Sequence, residues 1–180
     1  STVEDRKTGF LQGVLVAPIS RNTIVLGQAL GGAVLALVQG TIFLALAPVA
    51  GIPLSARAVL ITIALMAVVA FALTNIGLAI AWRIDSTQGF HAIMNLILLP
   101  MWMLSGAFFP VAGAPPWLEW TMRLNPLTYA MSAIRQSLYL AKPALAGPTP
   151  ELGPSVVVAI AFAAFAYLLA TRTARHAVVA

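Results

Sequence analysis

Few side chains in this sequence are suited to acid–base, nucleophilic or metal chemistry. It has no cysteine, and its two histidines, His91 and His176, lie far apart in the chain. Thiolate chemistry is therefore excluded, and a metal site built on both histidines is not expected. The most distinctive charged groups are the cluster Glu4 to Lys7 and the pair Glu119 and Arg123. A glutamate four residues before an arginine forms an ion pair on a helix surface, and no catalytic residue is predicted.

Nucleotide-binding and hydrolytic motifs are also missing from these 180 residues. There is no G-x-x-x-x-G-K-[ST] phosphate loop, and no G-x-S-x-G, H-E-x-x-H or G-x-G-x-x-G sequence. We therefore expect no enzymatic activity, cofactor or metal in this stretch. If the protein uses ATP, another domain or subunit must bind and hydrolyse it.

The composition is that of a protein embedded in a lipid bilayer. Hydrophobic residues make up 61% of the chain and charged residues only 8%, against roughly 25% charged residues in soluble domains. The net charge of +5 comes from basic residues at the edges of apolar runs: Arg6, Lys7, Arg21, Arg57, Arg83, Arg172 and Arg175. Basic residues at such positions anchor and orient membrane segments, so nucleic-acid binding is not expected.

Four apolar runs, at about 24–48, 58–82, 90–110 and 154–171, contain no Asp, Glu, Lys or Arg. Each is long enough to cross a hydrocarbon core of ~30 Å as a helix. The runs do not alternate between polar and apolar residues, as barrel strands would, and backbone groups in lipid must be satisfied within the segment. The sequence therefore predicts an all-α polytopic membrane protein with a single transmembrane domain over residues 1–180.

An even number of spans places both ends of the chain on one side of the membrane. That side, with the loop around Arg83, holds six Lys and Arg residues, and the opposite side holds four. Because cytoplasmic loops carry the excess of basic residues, both ends are expected in the cytoplasm.

Residues 1–18, STVEDRKTGFLQGVLVAP, have the pattern of an amphipathic helix that precedes the first span. Pro18 ends it, and Ser20 or Asn22 can cap the next helix. One interpretation is an interfacial helix that anchors the chain; the other is a docking element for a cytoplasmic partner. Since the sequence begins with Ser1 and not Met, we expect a fragment of a longer protein.

Small and polar residues within the spans predict helix packing. Gly27, Gly31, Gly32 and Gly40 follow a four-residue spacing that lets helix backbones approach closely in lipid. They fit packing within the chain or, alternatively, a dimer seam. Asn75 and Asn95 are expected to form hydrogen bonds between helices, with substrate contact as the alternative. None of the polar residues counted within the spans is ionisable, and the absence of ionisable residues argues against a proton or sodium relay.

Between the third and fourth spans lies an unusual stretch, which begins LSGAFFPVAGAPPWLEWTMRLNPLTY at residue 104. Pro115 and Pro116 precede a short helix, WLEWTMRL, and Asn125 is suited to cap a second one with Pro126 at its first position. Both helices are too short and too charged to span. Residues 111–150 therefore predict a re-entrant pair of helices that dips into the membrane and returns, resembling a lid; the alternative is an interfacial belt.

The same stretch resembles the signature region of type-2 ABC exporter permeases, which include daunorubicin-type drug exporters and lipo-oligosaccharide or polysaccharide exporters. The matching residues are Leu104-Ser105-Gly106, Phe109-Pro110, Pro116-Trp117-Leu118, the run Asn125 to Tyr129, and Arg135. The segment EDRKTGFLQGVLVAPISR is similar to the family's acidic cluster followed by a Pro-x-Ser-Arg. The resemblance covers nearly the whole chain.

The resemblance implies a permease subunit of six spans, of which the first two are missing here. It implies a second permease copy or homologous half, two ATPase subunits, and a bacterial inner membrane location. It assigns ATPase coupling to Glu4, Asp5, Arg6, Gly9, Phe10, Pro18 and Arg21. It assigns the external gate and re-entrant element to Phe108, Phe109, Pro110, Trp117, Asn125, Pro126, Tyr129 and Arg135.

The function that this resemblance implies is ATP-driven export of an amphipathic compound, such as a drug or a lipid-linked or saccharide-type molecule. Two alternatives remain open on the sequence. One is a gradient-driven secondary transporter, and the other is a membrane scaffold that transports nothing.

Overall fold

The protein is described by a computed structural model over residues 20–84, 86–108, 111, 113–140 and 142–176, and these residues contain helices and no strand. Four helices are long and apolar enough to cross a membrane, as predicted. The helices are α1 (Arg21–Ala45), α2 (Ala56–Ala81), α3 (Thr87–Trp102), α4 (Pro116–Leu124), α5 (Pro126–Leu138) and α6 (Leu152–His176), with 3₁₀ turns at Ala47–Ala50 and Pro143–Ala146. The predicted segment 1–18 lies outside the described residues.

Serine hydroxyls set the first residues of the first three long helices. The side chains of Ser20, Ser55 and Ser86 accept hydrogen bonds from the amide three residues later, at the start of α1, α2 and α3. Each helix therefore begins two to three residues before the predicted 24, 58 and 90. The predicted cap of α1 at Ser20 is confirmed. The starts predicted for α2 and α3 followed the onset of the apolar run, whereas a cap satisfies the exposed amides of the first turn wherever it stands.

The ends of the spans also differ from the predicted limits. α1 ends at Ala45 and not at 48, because the 3₁₀ turn with Pro48 follows it and closes on Gly51 at a φ of 77°. α2 ends one residue before the predicted 82. α6 runs from 152 to 176 and not from 154 to 171, so the helix continues past the apolar run into the segment that contains Arg172 and Arg175.

α2 is the centre of the bundle and packs against α1, α5 and α6. We call the end of the bundle where α1 begins and α6 ends the Arg21 end, and the opposite end, which carries α4 and α5, the hairpin end. The core at the Arg21 end is made of Val25, Ala29, Leu78, Ala79, Trp82, Ala170 and Ala174. Most of these side chains are small, which permits the close backbone approach that stabilises helix pairs in lipid.

α3 lies at the edge of the bundle, and none of its residues from Thr87 to Trp102 is buried. Asn95 is exposed on it. Asn75 of α2 is fully buried, but its amide nitrogen donates to the carbonyl of Phe71 in the same helix, at 2.8 Å. The expected bond from this nitrogen to another helix is therefore wrong, because the carbonyl one turn back is the nearest acceptor available to a short side chain in a helix.

The four glycines of α1 do not share one neighbour. A Cβ atom on Gly32 would lie 2.7 Å from Cγ2 of Thr74, and one on Gly40 would meet the Met66 side chain. No atom lies within 4 Å of a Cβ placed on Gly27 or Gly31. Gly32 and Gly40 thus serve the packing of α1 against α2, and packing by the other two stays a prediction.

This difference provides a matched pair of substitutions. Gly32→Ala is expected to lower the free energy of unfolding by about 1–3 kcal/mol, as overpacking does, because Thr74 is fixed by its 2.7 Å bond to Ala70 and cannot turn away freely. Gly27→Ala should change it by about 0.5 kcal/mol or less. Thermal unfolding of the full-length protein in detergent measures the stability of both variants. Equal changes in the two variants would contradict the role of Gly32 in packing α1 against α2.

Candidate functional site

α3 breaks as it reaches the hairpin end. Pro100 lies inside the helix, and the chain then widens into a π turn over Met103–Ala107, with Gly106 in the left-handed region at a φ of 80°. Proline has no amide to donate, and a left-handed residue ends the regular bonding pattern. At this break, side chains from the following segment donate to the backbone carbonyls of Met101, Leu104 and Gly106, and a carbonyl without a donor is costly inside a membrane.

Three side chains that follow α4 supply these donors. Asn125 Nδ2 donates to the carbonyl of Met101 at 2.6 Å, and Arg135 Nη2 donates to the carbonyl of Gly106 at 3.1 Å. Thr128 Oγ1 lies 3.2 Å from the carbonyl of Leu104 and 2.6 Å from that of Met122, so its single proton is shared between them. We call Asn125, Thr128 and Arg135 the clamp. The clamp ties α5 to the broken end of α3.

Asn125 has a second task at the start of α5. Its Oδ1 accepts a hydrogen bond from the Leu127 amide at 3.0 Å, and Pro126 occupies the first helical position. The predicted cap is thus confirmed. Because one amide group caps α5 and holds α3, the position of the helix start and the position of the break are fixed together.

The buried face of α5 is small and hydroxylated. Its buried residues are Leu127, Thr128, Ala130, Ser132, Ala133 and Ser137. Ser137 Oγ lies 2.7 Å from Thr62 Oγ1 of α2, with both side chains buried. The larger apolar side chains of α5, Met131, Ile134 and Leu138, are only partly buried. In a membrane protein, small and hydroxyl side chains favour helix contacts while large apolar ones can face lipid.

α5 lies alongside the hairpin-end half of the bundle. Leu127 and Ala130 belong to a core cluster with Ala159 of α6, and Val69 and Leu73 from the middle of α2 pack against it. Ser137, ten residues further on, meets α2 at Thr62, close to that helix's first turn. α5 therefore starts beside the middle of the long helices and runs outward to their end.

α4 presents an aromatic face to its surroundings. Trp117, Trp120 and Leu124 are all about 70% exposed, while Met122 is buried. Glu119 and Arg123 form the predicted ion pair, at 2.6 Å. The two short helices meet at Asn125, so α4, the clamp and the break of α3 form one site at the hairpin end.

Comparison with known proteins assigns the family. Residues 1–139 match the family described as ABC-2 type transporter. The chain belongs to the ABC-2 type transporter family. This ABC-2 chain is a multi-pass membrane protein of the transport-permease class.

Several named proteins are similar to the ABC-2 chain. "Putative transport permease ycf38" of Porphyra purpurea is 34% identical over 134 residues, which cover 73% of this chain and 46% of that protein. "Probable multidrug ABC transporter permease YbhR" of Escherichia coli strain K12 is 27% identical over 173 residues, 96% of this chain and 46% of that protein. "Nodulation protein J" of Sinorhizobium fredii is 28% identical over 127 residues, 71% of this chain and 48% of that protein. The chain spans about half the length of these relatives.

The residues predicted for the external gate of the ABC-2 chain are partly brought together. Phe108 is exposed just after the π turn, and its ring stands edge-on to Trp102 with centroids 4.7 Å apart. Asn125 and Arg135 donate hydrogen bonds to backbone carbonyls of the same segment. Trp117 is exposed on α4 and takes no part in the clamp. Phe109 and Pro110 lie outside the described residues.

Tyr129 lies in a different part of the site. It lines an open pocket of about 430 Å³ with Val111, Glu119, Arg123 and the segment 148–150. The pocket borders the ion pair of α4, so its wall combines an aromatic ring with two opposite charges. Sequence reasoning assigned Tyr129 to the gate but gave no sign of the pocket, which depends on residues far apart in the chain.

The residues predicted for ATPase coupling lie mainly beyond the part of the chain that the structure describes. Six of them, Glu4, Asp5, Arg6, Gly9, Phe10 and Pro18, lie outside the described residues. Arg21 is described and begins α1. Its guanidinium reaches the last turn of α6, where Nη1 donates to the carbonyls of Ala174 and Arg175 at 3.2 and 3.3 Å.

Thr128 was missed by sequence reasoning as a clamp residue, although it stands in the Asn-Pro-Leu-Thr-Tyr run. Its partner carbonyl at Leu104 is 24 residues away, and nothing local in the sequence indicates such a pair. Among the described residues, no group of three His, Cys, Asp or Glu side chains could hold a metal ion. The chemistry that the site offers is therefore backbone stabilisation and apolar contact.

Proposed function

We propose that the chain is the membrane-spanning part of an ATP-driven exporter and that the broken end of α3 is its external gate. The observation that carries this proposal is the clamp, because three side chains hold carbonyls that a continuous helix would satisfy by itself. A helix break that is held by replaceable side-chain bonds can change between two arrangements at a modest cost in free energy.

The proposed gate consists of Phe108 to Pro110 and the π turn before it. When the gate is closed, the clamp holds the turn, and the exposed α4 with its two tryptophans lies at the membrane interface, where such side chains are favoured. α4 and α5 form a re-entrant element that enters the outer leaflet, consistent with α5 starting beside the middle of α2. Opening displaces the end of α3 relative to α5.

The energy source proposed is an ABC ATPase subunit that docks on the cytoplasmic side. Residues 1–18 form the docking segment, and Arg21 couples this segment to α1. Both ends of the chain lie on the cytoplasmic side of a bacterial inner membrane. The excess of Lys and Arg on that side supports this orientation. A second copy or a homologous half completes the transporter.

The compound moved is proposed to be amphipathic, without a more specific assignment. α3, which has no buried residues, exposes Leu96, Leu99 and Trp102, and Met103 of the π turn is exposed beside them in sequence. A pathway lined by this helix would contact a substrate through apolar and aromatic groups. The predicted absence of ionisable residues from the spans is wrong at His91, which is exposed in the second turn of α3 near the Arg21 end.

The test of this proposal uses the full-length gene expressed in bacterial membranes. Purification in mild detergent should recover an ATPase with a phosphate loop in fixed stoichiometry. Joint replacement Glu4→Ala, Asp5→Ala and Phe10→Ala should lose that ATPase, because it removes the acidic and apolar contacts of the docking segment. Arg57→Gln, at the opposite side of the membrane, is the matched control and should retain it.

Two outcomes would count against the proposal. A pure permease with no ATPase, combined with transport that follows a proton or sodium gradient, would favour a secondary transporter. Retention of the ATPase by the triple variant would contradict the docking role of residues 1–18. The ATPase would then have to bind a different surface of the permease.

A further inference from the structure

The Arg21 end of the bundle carries a reciprocal set of bonds between the first and last described helices. Arg21, the first residue of α1, donates to the carbonyls of Ala174 and Arg175 in the last turn of α6. Arg175 in turn donates through Nη2 to Oδ1 of Asn22, at 3.1 Å. We call these contacts of Arg21, Asn22 and Arg175 the latch.

The latch explains why an arginine begins α1. The N-terminal end of a helix carries a partial positive charge, so a cation there is unfavourable for its own helix. The C-terminal end of α6 carries a partial negative charge and carbonyls that lack helical partners. The positive charge of Arg21 is therefore unfavourable at the N-terminal end of α1 and favourable at the C-terminal end of α6. The latch also brings the guanidinium groups of Arg21 and Arg175 to the same end of the bundle. Their mutual repulsion is offset by the bonds to the carbonyls of α6 and to Asn22.

The latch continues directly into the core at the Arg21 end. Ala174 is 2% exposed and belongs to the same buried cluster as Val25 and Ala29 of α1. α1 and α6 are thus held together by side-chain bonds at their ends and by close packing just inside. Two helices joined in this way cannot separate or slide without breaking both sets of contacts.

α6 is in turn attached to the helix that carries the clamp. Ser132 Oγ donates to the carbonyl of Pro150, just before α6, at 2.7 Å, and Gln136 donates to the same carbonyl. Further along, Ala159 of α6 packs with Leu127 and Ala130 of α5. A physical connection therefore runs from Arg21 through α6 to α5, whereas α3 meets the bundle with no buried residue.

We propose that the latch makes α1 and α6 one rigid unit, so that a displacement of the segment before Arg21 moves α6 and α5 together against α3. This inference rests on the proposed function, since it names the span that receives the motion of the docking segment. Arg21, Asn22 and Arg175 are positioning residues, and they act on transport through α6.

A cross-linking experiment tests whether α1 and α6 move as one unit. These 180 residues contain no cysteine, so Asn22→Cys and Arg175→Cys can be joined by a short bifunctional thiol reagent in the full-length permease with its ATPase. The cross-linked protein is expected to keep at least about half of its ATP-driven transport. Loss of transport by about tenfold or more would overturn the proposal, because it would mean that the two helices must separate.

Single variants test whether the latch carries the coupling. Arg21→Ala should lower transport per ATP hydrolysed by about threefold or more, within the range that mutations between coupled sites produce, while the ATPase still co-purifies. Arg172→Ala is the matched control, since Arg172 is exposed on the same last turns of α6. Equal ratios of transport to hydrolysis in the two variants would overturn the proposal.

A third measurement separates the latch from the exporter assignment. Hydrogen exchange in the last turn of α6 should be faster in Arg21→Ala than in the wild type and unchanged in Arg172→Ala, whether or not an ATPase is bound. If exchange is faster in Arg21→Ala but no ATPase partner is found, the latch contacts are supported and only the proposed ATP-driven function is contradicted. Unchanged exchange in Arg21→Ala would overturn the latch itself.

Discussion

Asn125→Ala is expected to lower transport strongly and to destabilise the protein, because it removes two hydrogen bonds. Two buried partners lose their bond at once, the Leu127 amide at 3.0 Å and the Met101 carbonyl at 2.6 Å. Loss of a helix cap costs about 1 kcal/mol, and a buried carbonyl left without a donor costs about 1–3 kcal/mol. We therefore expect a loss of about 2–4 kcal/mol in the free energy of unfolding, and transport reduced by at least tenfold.

Asn125→Asp separates the two tasks of this side chain. The carboxylate keeps the oxygen that caps α5 but cannot donate to Met101 while it is ionised. If the bond to α3 is what transport requires, this variant should fold with α5 intact and still fail to transport. Thr121→Ala, an exposed position whose hydroxyl bonds only within α4, is the matched control. Wild-type transport by Asn125→Asp would show that the capping bond alone accounts for the effect of Asn125 on transport.

Arg135→Met is expected to give the second large effect, a permease that keeps its ATPase but transports poorly. Arg135 is partly buried, and its guanidinium donates to the carbonyl of Gly106 at the left-handed position of the break. It also lines a cavity of about 10 Å³, room for one water molecule, with Ser105 and Thr128. Methionine has a similar length and no donor, so the break loses its support without a large change in packing.

The measurement is ATP-driven uptake into inverted membrane vesicles together with ATPase activity. We expect Arg135→Met to lower uptake by about tenfold, since a lost hydrogen bond from a charged donor costs about 1.5–3 kcal/mol, while hydrolysis continues. Arg135→Lys should recover part of the uptake because it keeps one charged donor. Arg123→Gln breaks an exposed ion pair, worth little, and is expected to transport like the wild type. Equal uptake by Arg135→Met and Arg123→Gln would exclude the clamp role.

The elements of this fold could be predicted from the sequence because their signals are local. The four apolar runs, the Asn125-Pro126 cap and the Glu119–Arg123 spacing each lie within a few neighbouring residues. The bonds that make the site do not: Asn125 and Met101 are 24 positions apart, and the latch joins residues 153 positions apart. Such pairs exist only after the helices have packed.

Two further differences have the same physical origin. The four glycines of α1 looked equivalent by spacing, but only the neighbours on α2 decide that Gly32 is crowded and Gly27 is open. The inward face of α5 carries Ser132 and Ser137 while apolar Met131 is only partly buried, since lipid removes the usual reason to bury large apolar side chains. The Ser20 cap of α1 was predicted, but α2 and α3 begin before the predicted 58 and 90, because Ser55 and Ser86, and not the first apolar residue, determine where bonding begins.

The central claim, that the broken end of α3 opens when the ATPase acts, can be tested by labelling Phe108→Cys. Phe108 is exposed next to the break, and these 180 residues contain no native cysteine to compete. A membrane-impermeant thiol reagent would be added on the external side of the membrane. Its rate of reaction would be measured for the complex without nucleotide and for the complex with a trapped ATP analogue. We expect the rate to change by about fivefold or more with the analogue, as a two-state gate biased by about 1 kcal/mol would require. A rate that is the same in both states, while Asn125→Ala remains inactive, would contradict a nucleotide-driven gate at this position.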